Sequence, residues 1–221
     1  MAQPRFSSVL FDCDGTLLNT INDLACAGNL TCQAHGWPTH DVETFKRMVG
    51  NGQRVLVERF VPAKVAADPD ALEAVYQEFV RLYGVHQQDT TGPYEGIVSC
   101  IERLRAAGVR VGMLTNKNHE QAIPLADKFF PGLLDAAQGR VDSMPAKPAA
   151  PMTLALMRAL GADPASTLMV GDTSVDIACG KNVHIATCGV TWGFRPREEL
   201  VDAEADFIVD TPDELTRLIL G

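Results

Sequence analysis

The chain has 221 residues, 46% of them hydrophobic and 21% charged, which is typical of a globular protein long enough to bury a core. The formal net charge of −9 argues against a nucleic-acid-binding protein, since such proteins usually carry a basic face. We see no secretory signal and no apolar run near the roughly 18 residues of a membrane span. We therefore expect a cytoplasmic protein that binds neither nucleic acid nor membrane.

The first predicted element is a short strand over residues 8–12, which ends in the acidic stretch FDCDGTL at residues 11–17. No convincing strand follows between Ile21 and Tyr83, where several segments instead fit helical spacing. These segments cover residues 26–34, 44–48, 54–60 and 71–83. We predict a helical insertion, a cap of residues 19–89, in a core formed by residues 1–18 and 90–221.

The rest of the chain alternates between strand and helix patterns. Strands are predicted at residues 109–115, 167–172, 184–190 and 206–210, and helices at residues 96–107, 120–129 and 151–160. Such alternation indicates βαβ units and a parallel sheet covered on both faces. The predicted fold is α/β, a doubly wound and mostly parallel sheet with an inserted α-helical cap.

Two acids, Asp12 and Asp14, lie where the first strand stops. Burying ionised carboxylates costs several kcal/mol unless a metal ion or a reaction uses them. Strand alternation predicts both on one side of the chain, with Cys13 on the other. One carboxylate can then attack phosphorus while the other acts as general acid and base. Gly15 frees the backbone, so its N–H can approach an anion.

Three strand ends deliver polar residues to one sheet edge, namely Asp12, Thr115 and Asp172. Ligands of open parallel sheets bind outside the carboxyl ends of the strands. At the start of a helix, the i, i+4 spacing of Asp172 and Asp176 predicts both on one face. Together with Asp12 they supply the oxygen ligands that Mg²⁺ prefers. Lys147 adds a positive charge from a proline-rich turn.

These motifs carry a family resemblance. The stretch DCDGTL at residues 12–17 resembles the first motif of the haloacid dehalogenase superfamily. Thr115-Asn116-Lys117, Lys147-Pro148 and Gly171-Asp172 followed by Asp176 resemble its second, third and fourth motifs, in order. The helical insertion, with VGNGQRVLVERF at residues 49–60, resembles the small cap of the phosphoglycolate-phosphatase-like branch, as does the C-terminal stretch at residues 193–215.

The resemblance implies a role for each matching residue. Asp12 is the nucleophile that forms an aspartyl-phosphate, and Asp14 is the general acid and base, whose backbone carbonyl binds Mg²⁺. Thr115 holds a phosphoryl oxygen, and Lys147 neutralises the nucleophile and the phosphoryl group. The dehalogenases of the superfamily lack the second aspartate, so the presence of Asp14 favours phosphate chemistry over carbon–halogen cleavage.

The remaining predicted site residues are metal ligands and substrate contacts. The resemblance implies that Asp172 binds Mg²⁺ directly and that Asp176 supports the metal, although Asp176 alone could simply complement a helix dipole. Gly15 and Asn116 are predicted substrate contacts. Arg54, beside the Gly50-Asn51-Gly52 turn, is our choice for the group that meets a second anionic moiety.

We therefore predict Mg²⁺-dependent hydrolysis of a small phosphomonoester, with phosphoglycolate as the lead substrate. The partner is a small phosphorylated metabolite, and the protein is a monomer or homodimer. Three alternatives remain open: a phosphomutase of the β-phosphoglucomutase type, a pyrophosphatase, and a non-catalytic sensor of a phosphate ligand.

Two further expectations concern single residues. Lys117 is predicted to be a solvated surface lysine, as most lysines are. The six cysteines contain no C-x-x-C pair and are predicted to be reduced core thiols. They are Cys13, Cys26, Cys32, Cys100, Cys179 and Cys188.

Overall fold

A computed structural model describes residues 3–221 and contains strands and helices in alternation. The strands are β1 (Ser8–Phe11), β2 (Leu18–Asn19), β3 (Gly92–Pro93), β4 (Arg110–Asn118), β5 (Ala136–Arg140), β6 (Thr167–Gly171), β7 (Ala186–Val190) and β8 (Phe207–Val209). The α-helices are α1 (Ile21–Ala34), α2 (Val42–Met48), α3 (Gln53–Phe60), α4 (Ala63–Ala66), α5 (Pro69–His86), α6 (Ile97–Ala106), α7 (His119–Phe129), α8 (Ala150–Leu160), α9 (Ser174–Asn182), α10 (Arg197–Asp202) and α11 (Pro212–Leu220).

Six strands form a parallel sheet in the spatial order β5-β4-β1-β6-β7-β8. Alternation along β1 sends Val9 and Phe11 into one apolar cluster and Leu10 into another. Helices α6, α7 and α11 contribute to the first cluster, and α8 and α9 contribute to the second. Both sheet faces are therefore covered, and the predicted doubly wound α/β fold is confirmed.

The observed elements differ from the predicted ones mainly at the edge of the sheet and in the cap. Strand β5, with the sequence AAQGR, was not predicted because it has no β-branched residue, and it forms by pairing with β4. Helices α4, α10 and α11 were also missed. Helix α1 begins at Ile21 rather than Cys26, because its first turn buries Ile21 and Leu24.

The helical segment between β2 and β3 has its own apolar core, centred on Phe45, Phe60 and Phe79. Phe194, from the loop after β7, packs into the same cluster and joins it to the sheet domain. The two strands that bound this segment pair with each other in antiparallel fashion. The predicted cap boundaries at residues 19 and 89 stay a prediction.

Asp23 of α1 anchors the chain where it returns from the helical segment to the sheet. Its carboxylate is 1% exposed and accepts hydrogen bonds from the Thr90 hydroxyl at 2.6 Å and from the backbone N–H groups of Thr90 and Thr91, each at 2.9 Å. Three hydrogen-bond donors of Thr90 and Thr91 thus share the buried Asp23 carboxylate as their acceptor.

We expect Asp23→Ala to lower the free energy of unfolding by about 2–3 kcal/mol, because hydrogen bonds to a charged group are lost and their donors stay buried. Urea denaturation measures this change. The exposed Glu102→Ala on α6 is the matched control and should stay within about 0.5 kcal/mol of the wild type. An Asp23→Ala protein as stable as this control would contradict the anchoring role.

Across residues 3–221, no helix has both the length and the apolar character that spanning a bilayer requires. All six cysteines are free, and five of them are buried, as predicted. Cys26 is the exception, because it lies on the exposed side of α1.

Candidate active site

The predicted site residues converge because β4, β1 and β6 are neighbours in the sheet. Asp12 follows β1 directly, Thr115 lies in the last part of β4, and Asp172 follows β6 directly. The carboxyl ends of parallel strands meet at one edge, so residues distant in sequence come within contact distance there.

Lys147 joins two carboxylates at this edge. Its Nζ lies 2.8 Å from Oδ1 of Asp12, 2.7 Å from Oδ1 of Asp176 and 3.0 Å from the backbone oxygen of Leu114. An ammonium has three hydrogens, so these partners occupy its full donor capacity. The third-motif lysine therefore lies in salt-bridge contact with Asp12, while its role in neutralising a nucleophile stays a prediction.

Asp172 is held from several sides. Its carboxylate accepts a hydrogen bond from the Phe194 backbone N–H at 2.7 Å and another from the Thr16 hydroxyl at 3.2 Å. A Cβ atom on Gly15 or Gly193 would collide with the Asp172 side chain, so only glycine fits at both positions. The sequence reasoning missed Thr16, Gly193 and Phe194 as supports of this carboxylate.

Asp176 reaches the site in a different way from the predicted one. Asp172 lies before α9 rather than in it, so the two acids do not share a helix face. Asp176 lies in the first turn of α9, where one carboxylate oxygen accepts hydrogen bonds from the hydroxyl and the N–H of Thr173. Its other oxygen points to Lys147.

The acid cluster fits a divalent cation. Asp12, Asp172 and Asp176 each offer an oxygen, and these atoms lie within 4.8 Å of one another. Within residues 3–221, Lys147 forms salt bridges with Asp12 and Asp176, and no cation pairs with Asp172. When all three carboxylates are ionised, two of their negative charges therefore remain unbalanced. A hard divalent ion with oxygen ligands supplies that missing charge.

The titration of these groups reflects the excess of buried negative charge. Burial, which outweighs the opposing effect of Lys147, raises the pKa of Asp12 to about 7. Burial and the neighbouring Asp176 carboxylate also raise the pKa of Asp172 well above its ordinary value. Burial alone would lower the pKa of Lys147, but the adjacent Asp12 and Asp176 carboxylates raise it above its ordinary value.

Asp14 lines the same cavity as Asp12 and is held by contacts from two other residues. Its carboxylate accepts a hydrogen bond from the Thr20 hydroxyl at 2.7 Å and lies 3.1 Å from the Nζ of Lys117. The prediction that Lys117 is a solvated surface residue is therefore wrong. Lys117 is 3% exposed because it follows Thr115 on β4, at the edge where the cap closes over the sheet.

Thr115 and Asn116 lie beside Lys117 in the cleft. The Asn116 amide donates to the backbone oxygens of Lys147 and Gly50, and its oxygen accepts the Lys147 N–H. The structure thus uses the Asn116 side chain to join the third motif to the cap loop, while a substrate contact through this residue stays a prediction. Thr115 is buried and lines the cleft.

The other two predicted substrate contacts, Gly15 and Arg54, form interactions with other parts of the protein. The Gly15 N–H, predicted to meet an anion, donates to the Leu18 carbonyl at 2.9 Å. Arg54 pairs with Glu73 and lies 5.4 Å from the centre of the Tyr76 ring, in a separate groove between the cap and the sheet domain. The structure does not bring Arg54 into the cleft that holds Asp12.

A small cavity of about 30 Å³ separates the acids from the cap. Its lining includes the cap residues Leu24, Val49 and Leu56, together with Phe194. The Arg195 guanidinium, next in sequence to Phe194, donates to the carbonyl oxygens of Lys46, Arg47 and Val49 at the end of α2. The cap is thus closed over the site in this structure.

Comparisons with known proteins bear on this arrangement. The family profile described as haloacid dehalogenase-like hydrolase matches residues 9–190. A phosphoglycolate phosphatase of Chromobacterium violaceum is 35% identical over 220 residues, 97% of each chain. An N-acetylmuramic acid 6-phosphate phosphatase of Pseudomonas aeruginosa is 32% identical, covering 97% of this chain and 95% of that protein. A crystal structure of a candidate phosphoglycolate phosphatase from Lactobacillus delbrueckii subsp. bulgaricus has a TM-score of 0.91 and 30% identity, covering 98% of this chain and 99% of that one.

Proposed function

The chain belongs to the haloacid dehalogenase-like hydrolase family, and from that premise we propose that it hydrolyses a small phosphomonoester with the help of Mg²⁺. The proposal depends chiefly on one observation. Asp12, Asp172 and Asp176 form a buried oxygen cluster that also contacts the ammonium of Lys147. The relatives named above, phosphatases by name at 35% and 32% identity, support phosphate chemistry.

Each side chain has a defined task in the proposed reaction. Lys147 holds Oδ1 of Asp12, which leaves Oδ2 to attack phosphorus. As the bond from Oδ2 to phosphorus forms, the bond from phosphorus to the ester oxygen breaks, and Asp14 donates a proton to the leaving alcohol. Asp14 then takes a proton from water, whose oxygen attacks phosphorus, releases phosphate and restores the Asp12 carboxylate.

Asp12, Asp172 and Asp176 would hold the divalent cation, with Thr16 and the Phe194 N–H orienting Asp172. When bound, the cation neutralises charge on the carboxylates and on the phosphoryl oxygens. The closed cap, with Leu24, Val49 and Leu56 over the cavity, excludes bulk water from the reacting group.

Phosphoglycolate is the lead substrate. It is the compound in the name of the C. violaceum relative, and the small cavity favours a short ester. N-acetylmuramic acid 6-phosphate, named for the P. aeruginosa relative, is also a phosphorylated carboxylic acid. The six free cysteines support the predicted cytoplasmic location. The assignment as a monomer or homodimer stays a prediction.

The direct test is a panel of phosphate compounds scored by release of inorganic phosphate, with MgCl₂ and with EDTA. The panel contains phosphoglycolate, ethyl phosphate, sugar phosphates, nucleotides and pyrophosphate. We expect Mg²⁺-dependent phosphate release from small monoesters and little from pyrophosphate. Phosphoryl transfer between sugar positions without free phosphate would instead indicate a phosphomutase, and binding without turnover would indicate a sensor.

We expect Mg²⁺ to stabilise the folded protein, because the cation offsets the unbalanced charge of the carboxylate cluster. At 100 times its dissociation constant, a ligand of the folded state adds about 2.7 kcal/mol to the free energy of unfolding. Urea denaturation with and without MgCl₂ measures the effect. Asp172→Asn should lose most of it, whereas the exposed Asp127→Asn on α7 should keep it. An equal gain in both variants would place the metal elsewhere.

A further inference from the structure

Lys117 is a buried cation that the proposed reaction does not use. It is 3% exposed and lines the cavity between the acids and the cap, together with Asp12 and Asp14. The mechanism assigns charge neutralisation of the nucleophile to Lys147. A second buried ammonium within 3.1 Å of the general acid therefore needs a separate explanation.

The two lysines differ in how many of their three ammonium N–H donors already have a partner. Lys147 donates to Asp12, Asp176 and the Leu114 carbonyl, so its three hydrogens are taken. Lys117 contacts Oδ1 of Asp14 and donates to the Tyr83 hydroxyl at 2.7 Å. Its Nζ also lies 4.4 Å from the centre of the Tyr83 ring. Within residues 3–221, Lys117 thus keeps one N–H without a hydrogen-bond partner, and its side chain lines the cavity.

The rest of the cavity lining offers no competing cation. Among the cavity residues within 3–221, Lys117 is the sole positively charged one. The cap contributes Leu24, Val49 and Leu56, which are apolar, and the neutral Gln53, whose Nε2 donates to Gln121 at 2.6 Å. A second anionic group on a substrate in this cavity would therefore meet Lys117 and nothing else of opposite charge.

The position of Lys117 also restricts where that anionic group can lie. Asp14 must approach the leaving oxygen of the ester in order to protonate it. Because Lys117 is adjacent to Asp14, an anion on Lys117 lies close to the leaving oxygen. A carboxylate on the carbon that bears this oxygen satisfies the restriction, and such esters are the phosphates of α-hydroxy acids.

We propose that Lys117 is a specificity-determining residue that binds the carboxylate of a phosphorylated α-hydroxy acid. This inference rests on the proposed phosphatase function and assigns the recognition of the leaving group to a residue of β4. Arg54, engaged by Glu73 outside the cavity, is not needed for that task.

A purely structural role for Lys117 makes a different prediction. If the ammonium only positions Asp14 or holds Tyr83, its loss impairs the hydrolysis of every ester by the same factor. If it binds a carboxylate, its loss impairs only esters that carry one, in addition to any common effect. The ratio of kcat/KM for phosphoglycolate to kcat/KM for ethyl phosphate separates the two roles, because these esters have the same number of carbons and differ in the carboxylate.

The experiment measures this ratio with MgCl₂ for the wild type, Lys117→Met and Tyr83→Phe. We expect the wild type to favour phosphoglycolate, and Lys117→Met to lower the ratio by about 10- to 150-fold, the range for loss of a hydrogen bond to a charged group. Tyr83→Phe keeps the ammonium and should hold the ratio within about threefold of the wild type. An unchanged ratio in Lys117→Met, or an equal loss in Tyr83→Phe, overturns the proposal.

Circular dichroism and urea denaturation establish that each variant is folded. If Lys117→Met does not fold, the wild-type ratio decides: a preference of tenfold or more supports the proposal, and a smaller one overturns it. Failure of the phosphatase function itself looks different, since then neither ester releases phosphate in the wild type.

Discussion

We expect Asp12→Asn to lower kcat by on the order of 10⁴-fold or more, because removal of a covalent nucleophile eliminates the first chemical step. The amide has the same shape as the carboxylate but cannot attack phosphorus. Phosphate release from the best ester of the panel, with MgCl₂ present, measures the loss. Asp127→Asn, an exposed change of the same type, should retain wild-type turnover. Wild-type rates in Asp12→Asn would refute the proposed mechanism.

The same variant should remain folded. Burial raises the pKa of Asp12 to about 7 from its ordinary value of 3.8, so the metal-free folded state binds a proton more tightly than the unfolded state does. The buried negative charge of Asp12 destabilises the folded state. This destabilisation is absent below pH 3.8 and grows as the pH rises to about 7. Without metal, Asp12→Asn should therefore gain stability relative to the wild type between pH 5 and pH 8, as urea denaturation can show. A constant difference between these pH values would contradict the charge argument.

We expect Lys147→Met to lower the free energy of unfolding by about 3–5 kcal/mol at pH 8, because it leaves Asp12 and Asp176 buried without their ammonium. The pKa of Lys147 is raised, so its ammonium stays charged in the folded protein at both pH 5 and pH 8, well below the ordinary lysine value of 10.5. Turnover should fall as well, because the ammonium no longer holds Oδ1 of Asp12.

The loss in Lys147→Met should be smaller at pH 5 than at pH 8, because protonation neutralises the carboxylates that have lost their partner. Urea denaturation at both pH values tests this. Lys128→Met is the matched control, since Lys128 is exposed and its ammonium has one side-chain hydrogen bond within residues 3–221, to the half-buried Gln88. The control should stay within about 0.5 kcal/mol of the wild type. A loss for Lys147→Met that does not depend on pH would show that packing, not charge, is responsible.

The sequence predicted the parts of the site that depend on strand ends. Asp12, Thr115 and Asp172 could be brought together in advance, because parallel strands place their carboxyl ends at one edge. The fold class followed from the same alternation of strands and helices. Strand β5 could not be found in this way, because its residues have little strand preference and the pairing with β4 creates it.

Other features of the site could not be predicted from the identity of single residues in the sequence. Phe194 supports Asp172 through a backbone N–H, a group that nearly every residue has. Thr16 gives no signal of its own in the sequence, and only the fold shows that its hydroxyl donates to Asp172. Lys117 could not be told from a surface lysine, because its burial comes from Tyr83, which lies 34 positions earlier in the chain.

Strands β2 and β3 pair Leu18 with Pro93 and Asn19 with Gly92, so the helical segment leaves and rejoins the sheet domain at adjacent points. An inserted segment whose two ends lie side by side can change in length and composition without moving the domain into which it is inserted. We therefore expect that the segment between β2 and β3 can be replaced by a different one if the contacts of Phe194 and Arg195 with it are redesigned, which offers a route to chimeric enzymes that keep Asp12 and Asp172 in place.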